Sequence, residues 1–356
     1  MDKTLFDLYT DFLLSSFGPA TATNLSRLLD GAISHDQITR WLAGEPKRSV
    51  HLWQKVKPLV RAVESTDGVI VIDDSLSEKP YTDENELICW HWNYAENRSV
   101  KGINFLTAFY QVASVGLPVA FDLVTKTEIY LDPKTGKEKR RSAISKNERF
   151  RMLLRICLHN EILFSYVLAD LWYAAAENMK FVVQELQKHF VFPLKGNRKV
   201  ALSEADQKAG RFVAVDTLEL PAGQTRQIWL EEVPFALLLT KEVFTNKDGS
   251  QGVRYLVTDD LTLNYDQIIK LYQRRWSIEV YHESLKQNAA LEKSPPRTET
   301  TQRNHFFASV CAYVKLESLK IRTGVNHFAL KSKIYLAALK TAYQELVKLE
   351  PISLGA

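Results

Sequence analysis

The stretch Leu271–Asn288, LYQRRWSIEVYHESLKQN, carries a tyrosine, an arginine, a glutamate and a lysine at offsets of zero, three, seven and fourteen. At about 100° per residue, Tyr272, Arg275, Glu279 and Lys286 fall within roughly 60° of one another on a helix, stacked along one face. Asn264 with Gln267 three residues on reads as a helix entry, and nothing breaks the pattern before Pro295. One helix over about residues 266–289 is therefore expected. Its polar row is either an exposed ladder of ion pairs, which Arg275 and Glu279 would satisfy alone, or a working surface.

Upstream, GVIVIDDS is a continuous β-forming apolar run, Val69 to Ile72, that stops at Asp73 and Asp74; such a run fits a strand buried on both faces. The pattern recurs in ILFSYVLADLWY, where the apolar run from Ile162 to Ala169 ends in Asp170 and a helical pattern follows from Ala174 to Lys188. Between them, KGINFLTAFYQVASVGLPVAFDLV alternates as two strands turning at Val115–Pro118. A further buried strand, Phe190–Leu194, finishes in Lys195, Asn197 and Arg198. Residues 199–260 then break into short β-like runs with tight turns and read as inserted between that strand and the Leu271–Asn288 helix. Helices from about Thr301 to Lys320 and Lys331 to Leu349 close the chain.

The first 62 residues are helical throughout, with Thr21 or Thr23 and Ser34 as N-caps and Gly44 as a stop. Short helices joined by tight turns fit a helix-turn-helix, in which Gln37 and Arg40 could enter a major groove and Lys47 and Arg48 could touch phosphates; they equally fit a small helical bundle with a solvated face. Lys134–Arg155 is the densest positive tract, with nine basic and two acidic side chains including Lys139, Arg140 and Arg141; it fits a solvated loop, or a DNA backbone contact should a phosphodiester site lie beside it.

The totals narrow the class. The chain has 356 residues, 46% hydrophobic, enough for two or three packed units, and a net charge of +4 permits nucleic-acid partners without demanding them. Cys89, Cys157 and Cys311 lack paired metal spacing and an even disulfide framework, which suits a reducing cytoplasm. No apolar run approaches the ~20 residues a membrane helix needs, so no membrane partner is expected.

Two strand ends and a helix thus deliver three acids, Asp73 or Asp74, Asp170 and Glu279, from distant parts of the sequence. Oxygen ligands of this kind suit hard divalent cations and phosphoryl transfer, although acids at strand ends commonly cap turns instead. The Tyr272, Arg275, Glu279 and Lys286 row resembles, without a gap, the Y-x2-R-x3-E-x6-K signature of the DDE transposases of bacterial insertion sequences. IDDS, LADLWY, FPLKGNR and the β-rich segment before the glutamate helix resemble that family's landmarks in the same order, over about residues 60–325.

The resemblance implies an α/β fold with an RNase H-like mixed sheet flanked by helices, interrupted by the β-rich insertion. The expected organisation is an all-α DNA-binding domain at 1–62, a catalytic core at 63–198 and 261–325 split by the insertion at 199–260, and a helical tail at 326–356. It implies Asp74, Asp170 and Glu279 as ligands of two Mg2+ ions, for which Mn2+ may substitute; Asp74 is preferred to Asp73 because the small hydroxyl residue Ser75 follows it. Tyr272, Arg275 and Lys286 would grip DNA, joined by Arg40, Lys47, Arg48, Lys139, Arg140, Arg141, Lys195 and Arg198, with Trp229 in the insertion, or Trp172 beside Asp170, as a platform for a displaced base. The implied activity is metal-dependent cut-and-paste excision and integration by nicking and transesterification through a hairpin, on terminal inverted repeats and target DNA. The enzyme would act as a homodimer on DNA, in the cytoplasm and on the nucleoid. A catalytically inert DNA-binding protein and an RNase H-like nuclease without strand transfer are the alternatives. Glu283 lies on nearly the same helical face as Glu279; Glu283→Gln should cleave DNA at close to the unaltered rate while Glu279→Gln loses at least about 100-fold, measured as nicking of a labelled duplex.

Overall fold

The structure, a computed structural model, describes residues 4–93, 96–246 and 248–349. Four helices come first, α1 (Leu5–Ser15), α2 (Ala22–Leu28), α3 (His35–Leu42) and α4 (Ser49–Val63). Thr4, Thr21 and Ser34 cap the first three by accepting backbone N–H bonds, and Gln37 completes a capping box with Ser34.

The strands follow as β1 (Val69–Glu78), β2 (Cys89–Asn93), β3 (Arg98–Val112), β4 (Val115–Leu123), β5 (Glu128–Leu131) and β6 (Glu138–Arg141), then α5 (Lys146–His159) and β7 (Tyr166–Ala169). After α6 (Ala176–Lys180) come β8 (His189–Leu194), β9 (Lys199–Ala201), α7 (Glu204–Lys208), β10 (Val213–Ala214), β11 (Thr225–Leu230), β12 (Leu237–Thr245) and β13 (Gln251–Thr258). Four helices end the chain, α8 (Tyr265–Gln273), α9 (Trp276–Gln287), α10 (Glu299–Thr323) and α11 (His327–Leu349).

The central strands form a mixed sheet. β1 pairs antiparallel with β3 and parallel with β7, and β7 pairs parallel with β8. β4 returns along β3 in a hairpin whose turn falls at Ala113–Ser114, two residues before the expected one; Ala113 takes the left-handed conformation, φ 47°. The sheet is covered on both faces, so Val69, Ile70, Val71 and Ile72 are all fully buried. On one face Phe109 stacks on Tyr281 of α9 and Phe105 packs on Phe306 of α10; on the other, Phe150 of α5 stacks on Tyr173 and meets Phe192 edge-on. This is the mixed sheet between helical layers expected of an RNase H-like fold. The strands read as an insertion extend that same sheet: β13 pairs antiparallel with β8, and β12, β11, β9 and β10 continue outward.

Several expected elements have different limits. The helix read across 266–289 is two helices, parted at Arg274–Arg275, where the amides of Arg274, Arg275, Ser277 and Ile278 all bond three residues back. The cause is long-range. Arg274 donates to the carbonyls of Asp67 and Gln111, both at 2.8 Å, and so is drawn toward the start of β1 and the end of β3. The helix read from Ala174 to Lys188 is only α6 followed by a π-helical turn, Phe181–Glu185.

The N-terminal helices lie on α10: Tyr9 meets His305 Nδ1 at 3.0 Å, and Asn304 donates to the carbonyls of Leu42 and Gly44. Buried Glu317 on α10 accepts the Gly116 amide at 2.9 Å and the Lys320 ammonium at 2.8 Å and lies 2.7 Å from His327, which meets Ser284 at 2.9 Å. Only the start of α11 is secured this way, with Lys331 donating to Ser16 O at 3.1 Å and Tyr335 against Phe17. Leu336, Leu339, Tyr343, Leu346 and Leu349 beyond it are exposed. Glu317→Ala strands the Gly116 amide and leaves His327 and Lys320 without their acceptor, and should cost about 3 kcal/mol by denaturant melt. Burial opposes ionisation of Glu317, but His327, Lys320 and the Gly116 amide outweigh it and hold the carboxyl below its ordinary value of 4.5. Its contribution is therefore present above pH 4.5 and lost as pH falls through the lower folded value.

Candidate active site

The parallel register Ile72↔Ala169 brings the two acidic strand ends together, since Asp73 and Asp170 each stand one residue beyond that pair. Residues aligned in a parallel pair share a face. Asp73 lies opposite Thr107 on β3, and its neighbours on that face, Phe105 and Phe109, pack against α9; Asp73 thus faces the helix that carries Glu279. Asp74 points the other way. There it accepts bonds from Asn104 Nδ2 at 2.7 Å, Lys146 Nζ at 2.7 Å and Tyr173 Oη at 2.8 Å.

The two neighbouring acids therefore differ in state. Burial, then the charges of Asp170 and Asp74, push Asp73 up to about 8, with Arg275 offsetting only part. Burial also raises Asp170. For Asp74 burial is outweighed by the Lys146 ammonium and the bonds from Asn104, Lys146 and Tyr173, and its carboxyl is held below the usual carboxylate range.

Arg275 is the cation paired with Asp73. Its guanidinium lies 3.8 Å from Asp73 and in hydrogen-bond contact with Glu279, so Glu279 reaches the aspartates through Arg275. Among the described residues no group of three His, Cys, Asp or Glu side chains stands close enough together to hold an ion. The donors still fit a hard divalent cation. They are carboxylates alone, and an added cation would offset the charge that keeps Asp73 and Asp170 raised.

The other signature residues are placed differently. Tyr272 is 6% exposed, its ring centre 4.9 Å from the guanidinium of Arg254 and 5.7 Å from that of Arg275. Lys286 stands 3.7 Å from Glu292. His282 is buried against Phe105, and burial pushes it down to about 3. In the basic tract, β5 and β6 form a hairpin in which Lys139 contacts Asp132, Arg141 bonds Glu128 at 2.7 Å and Arg140 lies 3.9 Å from Glu84. Arg40, Arg48 and Lys195 are exposed, while Lys47, 3.8 Å from Glu45, and Arg198 are partly so. Trp229 is half-buried on β11, with β12, β13, β8 and β7 between it and β1, roughly 24 Å at the usual strand spacing. Trp172 is half-exposed two residues after Asp170, which accepts its backbone N–H, and Lys146 Nζ lies 5.9 Å from its ring centre.

Asn104, Lys146, Tyr173 and Arg254 join the site only in the folded chain. Lys146 and Tyr173 lie inside stretches already marked, the basic tract and LADLWY, whereas nothing local distinguishes Asn104 or Arg254.

The profile of the family described as "DDE superfamily endonuclease" matches residues 3–211, and that described as "Transposase DDE domain" matches residues 142–315. No curated protein matches the chain. A carboxyl raised on folding binds its proton more tightly in the folded chain, so the metal-free protein loses stability as pH rises from about 4 to about 8 through Asp73. Asp73→Asn should therefore raise metal-free stability at pH 8.5 by on the order of a few kcal/mol, and the gain should fade toward pH 4, read by denaturant melts in EDTA.

Proposed function

Since the chain belongs to the DDE superfamily of endonucleases and is a DNA-cleaving, strand-transferring enzyme, we propose that it is the transposase of an insertion sequence, cutting and pasting through a hairpin intermediate. The observation that carries the reading is the Asp73–Asp170 alignment at the ends of two parallel strands, beneath the helix bearing Glu279. Asp73, Asp170 and Glu279 are the acids we assign to the site; Asp74, preferred from the sequence, is instead committed to Asn104, Lys146 and Tyr173. Two magnesium ions, or manganese in their place, would be held by these three acids and would polarise the attacking and leaving oxygens of a phosphodiester.

The remaining residues position DNA. Asp74 fixes Lys146 at the start of α5, beside the half-exposed indole of Trp172, so that an ammonium and a stacking surface lie together two residues from Asp170. That favours Trp172 over Trp229 as the support for a displaced base. Lys286 and the exposed cations Arg40, Arg48 and Lys195 supply charge for phosphates farther from the cut. No helix among the described residues is long and apolar enough to cross a membrane. Dimerisation on paired element ends belongs to the proposal.

The test uses the chain's own element ends on a denaturing gel. Asp73→Cys and Asp170→Cys should lose nicking in Mg2+ by at least about 1,000-fold and regain part of it in Mn2+, which accepts sulfur more readily, whereas Asp74→Cys should show no such rescue. Rescue of Asp74→Cys alone would return the ligand role to Asp74. Nicks without hairpins or joined products would identify a simple nuclease.

A further inference from the structure

Arg275 occupies an unusual place for a residue expected to grip DNA. It is 16% exposed, between Asp73 at 3.8 Å and Glu279 in direct contact, with the Tyr272 ring 5.7 Å away. Tyr272 is also met by Arg254, 4.9 Å from the ring centre. Arg254 is in turn held by Glu242 across β12 and β13, at 2.9 and 2.6 Å. The result is a continuous stack, Glu242, Arg254, Tyr272, Arg275, running from the outer strands to the acids. A guanidinium bridging two carboxylates does there what a bound cation does: it lowers their mutual repulsion and holds them at a fixed spacing.

We propose that Arg275 is the resting counter-ion of the acidic site, parked between Asp73 and Glu279 by the Tyr272–Arg254 stack, and that it competes with divalent cations until it is withdrawn. The inference rests on the assignment of Asp73, Asp170 and Glu279 as the acids of the site. Three observations converge on it. Glu279 is engaged by Arg275, and among the described residues no three acids stand close enough to bind an ion unaided. Tyr272 is buried as a wall for two guanidiniums, so its ring serves the stack. The break before α9 places Arg275 at the junction of two helices, where a change in the angle between them moves its side chain relative to Glu279 one turn on. A phosphate drawing Arg275 outward would release both carboxylates together, coupling DNA engagement to cation entry.

The sign of the effect separates this from a purely supportive role. A residue that only holds Glu279 in place helps cation binding, and removing it weakens binding; a competing charge hinders it, and removing it strengthens binding. Titrate the full-length, DNA-free protein with Mn2+ and read the free ion by electron paramagnetic resonance. Arg275→Gln should bind Mn2+ at least about tenfold more tightly than the unaltered chain. Arg275→Lys, which keeps the charge but cannot bridge both carboxylates, should fall between the two. Equal or weaker binding by a folded Arg275→Gln overturns the proposal; should that variant fail to melt cooperatively, equal or weaker binding by Arg275→Lys does so. Asp170→Asn serves as the control: if it leaves Mn2+ binding unchanged, the acid assignment itself fails, whereas loss of binding there with no gain in Arg275→Gln defeats the counter-ion alone.

Discussion

The pairing of β1 with β7 is the constraint on which the rest depends. It aligns two aspartates at the ends of two fully buried strand segments, where neither carboxylate has enough compensating charge. A fold selected for stability alone would replace such a pair with apolar side chains, because like charges without water are costly. The pair is held there by what surrounds it: fully buried Val69–Ile72 and Val167–Ala169 fix both strands, and helices on the two faces exclude solvent. This deficit is what supports the proposed binding of a divalent cation and a phosphate diester at the pair.

Around the pair, the two acids of the IDD turn have divided roles that follow from strand parity. One faces α9, where Arg275 offsets only part of what burial and the neighbouring acids impose; its neighbour faces α5 and is satisfied three times over. The second gives the first its rigidity. By tying β1 to β3, to α5 and to the turn after β7, Asp74 immobilises the backbone that carries Asp73 and fixes Tyr173 close to Asp170.

Much of this was legible in the sequence, for a physical reason. Strands buried on both faces must be continuously apolar, so VIVI and the run ending at Ala169 announce themselves and their terminal acids with them. The Tyr272–Lys286 spacing marks helix correctly but not one continuous face, since Tyr272 lies on α8 while Glu279 and Lys286 lie on α9. Which of Asp73 and Asp74 faces α9 was not legible, since parity is set by the tertiary position of the covering helix and not by the residue that follows. The break at Arg274 depends on carbonyls at Asp67 and Gln111, and the Tyr272 stack depends on Arg254 from another strand; neither has a local signal. Residues 199–260 read as an insertion because their turns interrupt the pattern; that its strands would extend the ladder at β8 has no local signal.

The fastening of α11 at one end has its own consequence. Its 23 residues rise about 35 Å, but the contacts at His327, Lys331 and Tyr335 secure only the first turns. An unsupported helical stretch of that remaining length is marginal in water, so its outer turns sit at the low end of the molecule's range of local opening energies. Opening of those outer turns would stop where Tyr335 packs on Phe17 and Lys331 bonds Ser16, leaving the central sheet untouched.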